Sequence, residues 1–423
     1  MSLDKSQEFT EDWEWVKAKD FMLFNPRESV KKGTIVKNVP MDKIEPKTKE
    51  IPSFEITEYN GGVKFRNGDT LMARITPCLE NGKISQVSIL DNNEVGAGST
   101  EFIVLREKEG VSDKDFIYYL SNSEYFKEPA IKSMVGSSGR QRVQRDVVEN
   151  LDIFVPPLDT QKKIGKLLSL FDKKITLNKE INNHLENYVK YTFNSYFNKF
   201  LPFQEQKFVD SEYGFIPEGW QIGQIGDYCS IKSGFAFKSK WWQEDGIKVI
   251  KIKDINQGSI DFSDCSCVSE ENTSKANEFK VQGGDLLIAM TGATLGKFSV
   301  VPKTDESLYV NQRVGKFFLG DNPLKSLPFI WGLLNQRRIH DEIINRGQGS
   351  AQPNVSPTDI MTIEIILPPK SVIDMFNTKF QPVFNLIINN MYEIDKLSKL
   401  RDVLLPKLMS GEINVSQVNY DLE

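Results

Sequence analysis

Residues 68–83 read GDTLMARITPCLENGK, and residues 284–297 read GDLLIAMTGATLGK. Each is Gly-Asp, an apolar run, small residues, then Gly-Lys. The echo continues downstream. FIYYLSN at 116–122 pairs with FIWGLLN at 329–335, and GSSGRQRVQRDVVENLDIFVPP at 136–157 pairs with QGSAQPNVSPTDIMTIEIILPP at 348–369. Order is kept and the offset stays near 212–216. This is one large unit present twice, not a short-period solenoid. A chain of 423 residues is long for one core, so the repeat predicts two related domains. It also disposes of a tempting motif. Gly292 and Gly296 have three residues between them, not the four of a phosphate-binding loop, and Lys297 is followed by Phe298. Gly-Asp at Asp69 and Asp285 reads as a turn that starts a strand.

Each copy has the same layout. Short β-branched runs such as GTIVKNVP, EFIVLRE, KVIKIKD and LDIFVPP predict strands. DKDFIYYLSNSEYFKEPAIKSM and LPFIWGLLNQRRIHDEIINR predict helices. Each copy closes on a strand stopped by Pro-Pro, at 156–157 and 368–369, and a long helical pattern follows. The first, from near Asp159, places Ile164, Leu168, Phe171, Ile175, Asn178, Asn182, Leu185, Val189 and Tyr196 on a heptad seam. The second places Phe376, Phe380, Val383, Ile387, Asn390, Ile394, Leu397, Arg401, Leu404 and Leu408 there. A shift of 212 carries one seam onto the other and Asn178 onto Asn390. A polar seam residue specifies register at some cost in stability, so Asn178 and Asn390 are the expected register residues. The matched registers favour the helices packing on each other over each packing on its own domain. Pro382 is expected to kink or break the second helix. The predicted fold class is α/β (α+β): two repeated mixed domains joined by two long antiparallel coiled-coil-like helices, related by a pseudo-twofold.

Little in the chain suggests catalysis. Only two histidines occur, His184 and His340, both in helical text. No H-E-x-x-H, G-x-S-x-G or strand-borne G-x-G-x-x-G is present. VPPL and LPPK lack the Asn or Asp before, and the aromatic after, the Pro pair of an adenine methyltransferase. Four cysteines do not make a disulfide framework, and the Cys265-x-Cys267 pair has no histidine near it, so no metal and no cofactor are expected. A reducing cytoplasm is the expected compartment. No apolar run approaches a membrane span. A net charge of −5 does not suggest a generic nucleic-acid binder, although charge can be local.

With these parts in hand, the chain resembles the DNA-specificity (S) subunit of Type I restriction–modification systems over essentially its whole length. The residues that carry the resemblance are NPRESVKKG (25–33), the two Gly-Asp segments, GFIPEGWQIGQIGDYCSIKSGFAF (214–237), GSAQPNVSPTDI (349–360) and LRDVLLPKLMSGEI (400–413). No one of these is specific alone; their order and duplication are. The resemblance implies no catalysis in this chain. It implies two target-recognition domains, each reading one half of a bipartite double-stranded DNA site, on helices that act as a ruler. Two methyltransferase subunits would dock on the helices, and restriction/translocase subunits would join them. The expected division is 1–157 recognition domain 1, 158–200 helical spacer, 201–213 linker, 214–369 recognition domain 2, 370–413 second helical spacer and 414–423 tail. The first copy departs from the family pattern in two places. Arg140, Gln141 and Arg142 stand where the second has Gln352, Pro353 and Asn354, and PEGW at 217–220 has only Trp13 and Trp15 as counterparts.

Base edges are read by Arg or Lys on guanine and Asn or Gln on adenine. The densest such text is GSSGRQRVQR, which supplies Arg140, Gln141, Arg142, Gln144 and Arg145 as candidates, against the alternative of a solvated charged loop. Arg74 and Lys83 flank the first Gly-Asp loop and Lys297 ends the second. Gln312, Arg313, Gln352 and Asn354 complete the second domain's set, the last two also able to brace their loop. For Trp241 and Trp242, core packing is favoured over contact with DNA. Segment 158–200 carries eight Lys against four acidic residues, read as a solvated face. Two other classes stay open: a scaffold or orphan subunit that has lost DNA reading, and a stand-alone nuclease, for which Asp254 with Lys251 and Lys253 is the nearest text.

Overall fold

The computed structural model describes residues 12–348 and 353–415. They form two compact units: one runs to Thr176 and takes up the chain again from Lys396, and the other is Leu177–Asp395.

The first unit holds a four-stranded antiparallel sheet in the order Met22–Phe24, Phe102–Glu107, Thr70–Ala73, Ile84–Gln86. Its two central strands are apolar without alternation because both faces are covered. Met72, Ile103 and Leu105 face a core shared with the helix Lys114–Asn122 and with Ile164 and Leu168. Leu71 and Val104 face a second core with Val39 and Phe65 of another sheet. That sheet has the order Glu55–Glu58, Ile35–Val39, Gly96–Gly98, Val63–Phe65, with its middle pair parallel. Burial on both faces is what turns a period-two pattern into a continuous run. Glu14–Lys17 pairs with Asp152–Val155, so the start of the described chain is tied to the strand before Pro156–Pro157.

The second unit repeats this plan. Ser230–Ser233, Val314–Phe318, Leu286–Ala289 and Phe298–Val300 form the antiparallel sheet in the same order. Leu286 and Ile288 face one core and Leu287 the other. The mixed sheet gains an edge strand, Trp242–Gln243, and keeps a parallel central pair, Ile247–Ile250 with Leu308–Val310. Gln221–Gln224 pairs with Glu364–Leu367 as Glu14–Lys17 does with Asp152–Val155. Trp13 and Trp220 each precede that first strand; Trp13 packs on Phe154, and Trp220 on Phe197, Phe200 and Phe203. The Gly-Asp pairs are turns. Gly68 and Gly284 have φ of +93° and +92°, and Asp69 and Asp285 accept the N–H of Arg66 and Gln282 at 2.7 and 2.9 Å. Burial pushes both carboxyls up, and Arg106 and Lys316 at 2.6 and 3.0 Å oppose it. The fold is therefore α+β and duplicated.

Two helices of 40 residues follow the Pro pairs, Leu158–Phe197 and Lys370–Met409. Pro382 does not end the second. It removes one backbone bond, and Phe380 and Phe384, both fully buried, hold the turns on either side. Within the second unit the helices run antiparallel. Phe193 meets Phe376, Tyr188 meets Phe380, Asn390 Nδ2 donates to Asn182 Oδ1 at 2.8 Å, and Asn178 Nδ2 donates to Glu393 Oε2 at 2.8 Å. Asn178 and Asn390 thus occupy equivalent seam places and do not bond each other. In the first unit Asp172 and Arg401 pair at 2.6 Å.

Candidate nucleic-acid interface

In each unit the loop after the Gly-Asp strand is tied to the distal segment of the repeat by the same backbone bonds. In the first, Arg74 N–H donates to Glu101 O at 2.8 Å, Thr76 N–H to Gln141 O at 3.0 Å, and Val143 N–H to Arg74 O at 2.8 Å. In the second, Met290 donates to Arg313 O at 3.1 Å, Gly292 to Pro353 O at 3.0 Å, and Val355 to Met290 O at 2.9 Å. Ile75 bridges Arg142 as Thr291 bridges Asn354. These bonds bring Arg74, Gln141 and Arg142 together in one unit, and Arg313 and Asn354 next to the Gly292 loop in the other.

The side chains on this shared frame differ. Arg140 is exposed, and its guanidinium has no partner among the described residues. Arg142 makes a two-nitrogen contact with the Glu101 carboxylate, Nη2 at 2.6 Å and Nε at 3.0 Å. That contact holds the Glu101 carboxyl below its ordinary value. Gln144 Nε2 donates to Arg142 O, and Arg145 pairs with Glu149 one helical turn on at 2.5 Å. Arg74 Nη2 donates to Val143 O at 3.2 Å, and Lys83 Nζ to Met41 O at 2.8 Å, so both brace the loop. In the second unit Gln312 and Arg313 form the exposed turn between Leu308–Val310 and Val314–Phe318, and Asn354 is exposed. Lys297 is half-buried, with no side-chain partner among the described residues, and Gln352 lies outside them. Glu101 was not singled out by sequence. The repeat carried a usable signal, because Arg313 moved back by 212 lands on it.

An open concavity of about 550 Å³ adjoins this frame in the first unit, lined by Asn38, Met41, Glu58, Tyr59, Gly62 and Ser99–Thr100 among others. Trp241 and Trp242 are half-buried with Phe237, and the Lys251 ammonium lies 3.6 Å over the Trp242 ring. Asp254 is buried and caps the turn at Lys251, with Lys253 at 3.1 Å. Among the described residues no group of three or more His, Cys, Asp or Glu is arranged to hold a metal ion, and no helix is long and apolar enough to cross a membrane.

A duplicated α+β protein with matched polar loops is the class these features define. The chain matches the Type I restriction modification DNA specificity domain over residues 10–187 and again over 217–384, and it belongs to that family. It is 28% identical over 77% of its length to the Type I restriction enzyme MjaVIII specificity subunit of Methanocaldococcus jannaschii, covering 76% of that protein. It is 23% identical over 97% of its length to the EcoAI specificity subunit of Escherichia coli, covering 84% of it. The crystal structure of a Type-I restriction-modification system S subunit from M. genitalium shares the fold, with a TM-score of 0.56 at 16% identity over 96% of this chain and 98% of that one. The chain is a specificity component, not the catalytic one.

Proposed function

We propose that each unit reads one half of a bipartite duplex DNA site. In this reading the long helices fix the gap between the halves and dock two methyltransferase subunits, and restriction/translocase subunits join that complex in the cytoplasm. The observation that carries it is the pair of identically bonded loop frames bearing different polar side chains: Arg140 and the Arg142–Glu101 pair in one, Gln312, Arg313 and Asn354 in the other. A common scaffold with different donors and acceptors is what two readers of different half-sites require. Arg140, Gln141, Arg142, Arg313 and Asn354 are the base-edge candidates. Arg74, Lys83, Gln144 and Arg145 are braced by the protein and suit positioning. Lys297 and Gln312 suit phosphates.

Helices of 40 residues are about 60 Å long, enough to set half-sites about 34–36 Å apart, one duplex turn. Their surfaces favour two copies of one partner. Tyr188 and Tyr191 are 49% and 76% exposed, and the 212 shift lands on Leu400 and Val403, 51% and 58% exposed. An acidic chain that carries two such patches gains phosphate contacts from its partners. The test is selection from a randomised duplex library with the chain co-expressed with its methyltransferase. Two short motifs at a fixed gap are expected. A stable complex with no enrichment would leave only a scaffold.

A further inference from the structure

The two loop frames align residue by residue, and the alignment exposes an exchange. Glu101 O accepts from Arg74 N–H where Arg313 O accepts from Met290 N–H, and Arg142 bridges Ile75 where Asn354 bridges Thr291. Positions 101 and 313 are therefore the same place, as are 142 and 354. The first unit has a carboxylate and an arginine there, locked at 2.6 Å with side chains 24% and 46% exposed. The second has an arginine and an asparagine, both exposed and with no side-chain partner among the described residues.

We propose that these two places form one specificity-determining pair used differently in each unit. In the first unit Arg142 is the reader and Glu101 is its positioning residue. The carboxylate holds Nε and Nη2, fixes the guanidinium plane and leaves Nη1 to a guanine edge. In the second unit the arginine has moved to the partner place, so Arg313 is the guanine reader, and Asn354 takes the adenine-type contact. The cation thus sits at opposite members of the pair in the two units, and the order of bases read along each half-site changes with it. The inference rests on the DNA-reading function above.

Exchange of the pair tests it. The full chain, co-expressed with its methyltransferase, is prepared as wild type, as E101R/R142N and as R313E/N354R, and each is passed through the duplex library. The expected result is a changed base preference, roughly tenfold or more, at the positions this pair reads in one half-site, with the other half-site untouched. The untouched half-site is an internal control for folding and assembly. E101Q should blunt the same preference without moving it, a readout that simple loss of loop stability would not give. Two outcomes overturn the proposal: both motifs unchanged in the exchanged chains, or uniformly weaker binding with a shallower salt dependence and the same motifs, which marks phosphate contacts. Failure of the wild type to enrich any motif would instead remove the DNA-reading function, and this inference with it.

Discussion

Removal of the Asp172 carboxylate should loosen the helix pair in the first unit, and the cost can be worked from its surroundings. Asp172 and Arg401 side chains are 4% and 12% exposed and meet at 2.6 Å. The second carboxylate oxygen accepts the hydroxyl of Tyr119, which is also buried. Asp172→Ala leaves a guanidinium and a hydroxyl without their acceptor. Breaking a buried pair costs about 3–5 kcal/mol, and the lower half of that range applies because Arg401 also reaches Asp402, which is 54% exposed and keeps part of the charge compensated. The repeat predicts the rescue. A shift of 212 places Val189 and Phe384 at these two positions in the second unit, both buried, so an apolar pair already serves there. D172A/R401M should therefore recover about 2 kcal/mol, since removal of the orphan charge relieves most of the penalty. A chain of two units does not melt as one two-state system, so the assay is hydrogen exchange on peptides covering 158–176 and 396–409. A loss below about 1 kcal/mol in D172A, or a double variant worse than the single, would refute the argument.

Gly332 permits close helix contact in the second unit: an added Cβ would lie 2.2 Å from Phe193 Cδ2, inside a fully buried ring cluster. G332A should gain about 1 kcal/mol in helix propensity and lose about 1–3 kcal/mol to overpacking, with F193L restoring part of the deficit in denaturant midpoint. Glu28 accepts from Arg66 Nε at 2.7 Å and Arg106 Nη1 at 2.7 Å, and the Arg66 hydrogen bond is the largest influence holding its carboxyl below 4.5. Its stabilisation is complete above 4.5 and is lost as pH falls through the lowered folded value; E28Q should cost about 1–3 kcal/mol at pH 7, moderated because Arg66 is 40% exposed, and should flatten the acid limb of the stability curve. Under the proposed docking of two methyltransferase copies, Y191D and V403D should each reduce the copies recovered per chain from two to one, and together to none. Native mass spectrometry reads this directly, and two copies on the double variant would remove these patches from the interface.

How far the sequence carried the fold follows from which constraints are local. Pro-Pro stops, Gly-Asp turns with positive φ and the heptad faces are written within a few residues of each other, so the repeat, the sheet strands and both long helices were legible. A face is not a partner, however. The seam put Asn178 and Asn390 inside, but their true contacts, Glu393 and Asn182, depend on how the antiparallel helices slide past one another, and heptad spacing is indifferent to that. The basic loop shows the same limit. By composition Arg140, Arg142 and Arg145 are three similar cations. The fold ties Arg142 to Glu101, 41 residues away, and Arg145 to Glu149 on its own turn, and leaves Arg140 in solvent. An ion pair between segments this far apart in the chain depends on how the fold brings them together, which no window of sequence contains. Net charge is uninformative for the same reason: it does not say which cations are held by internal carboxylates, as Arg142 and Arg145 are, and which stand in solvent, as Arg140 does. Under the proposed two-reader function, neutralising the solvent-exposed Arg140 or Arg313 should therefore weaken its own half-site far more than neutralising Arg145, which Glu149 already holds.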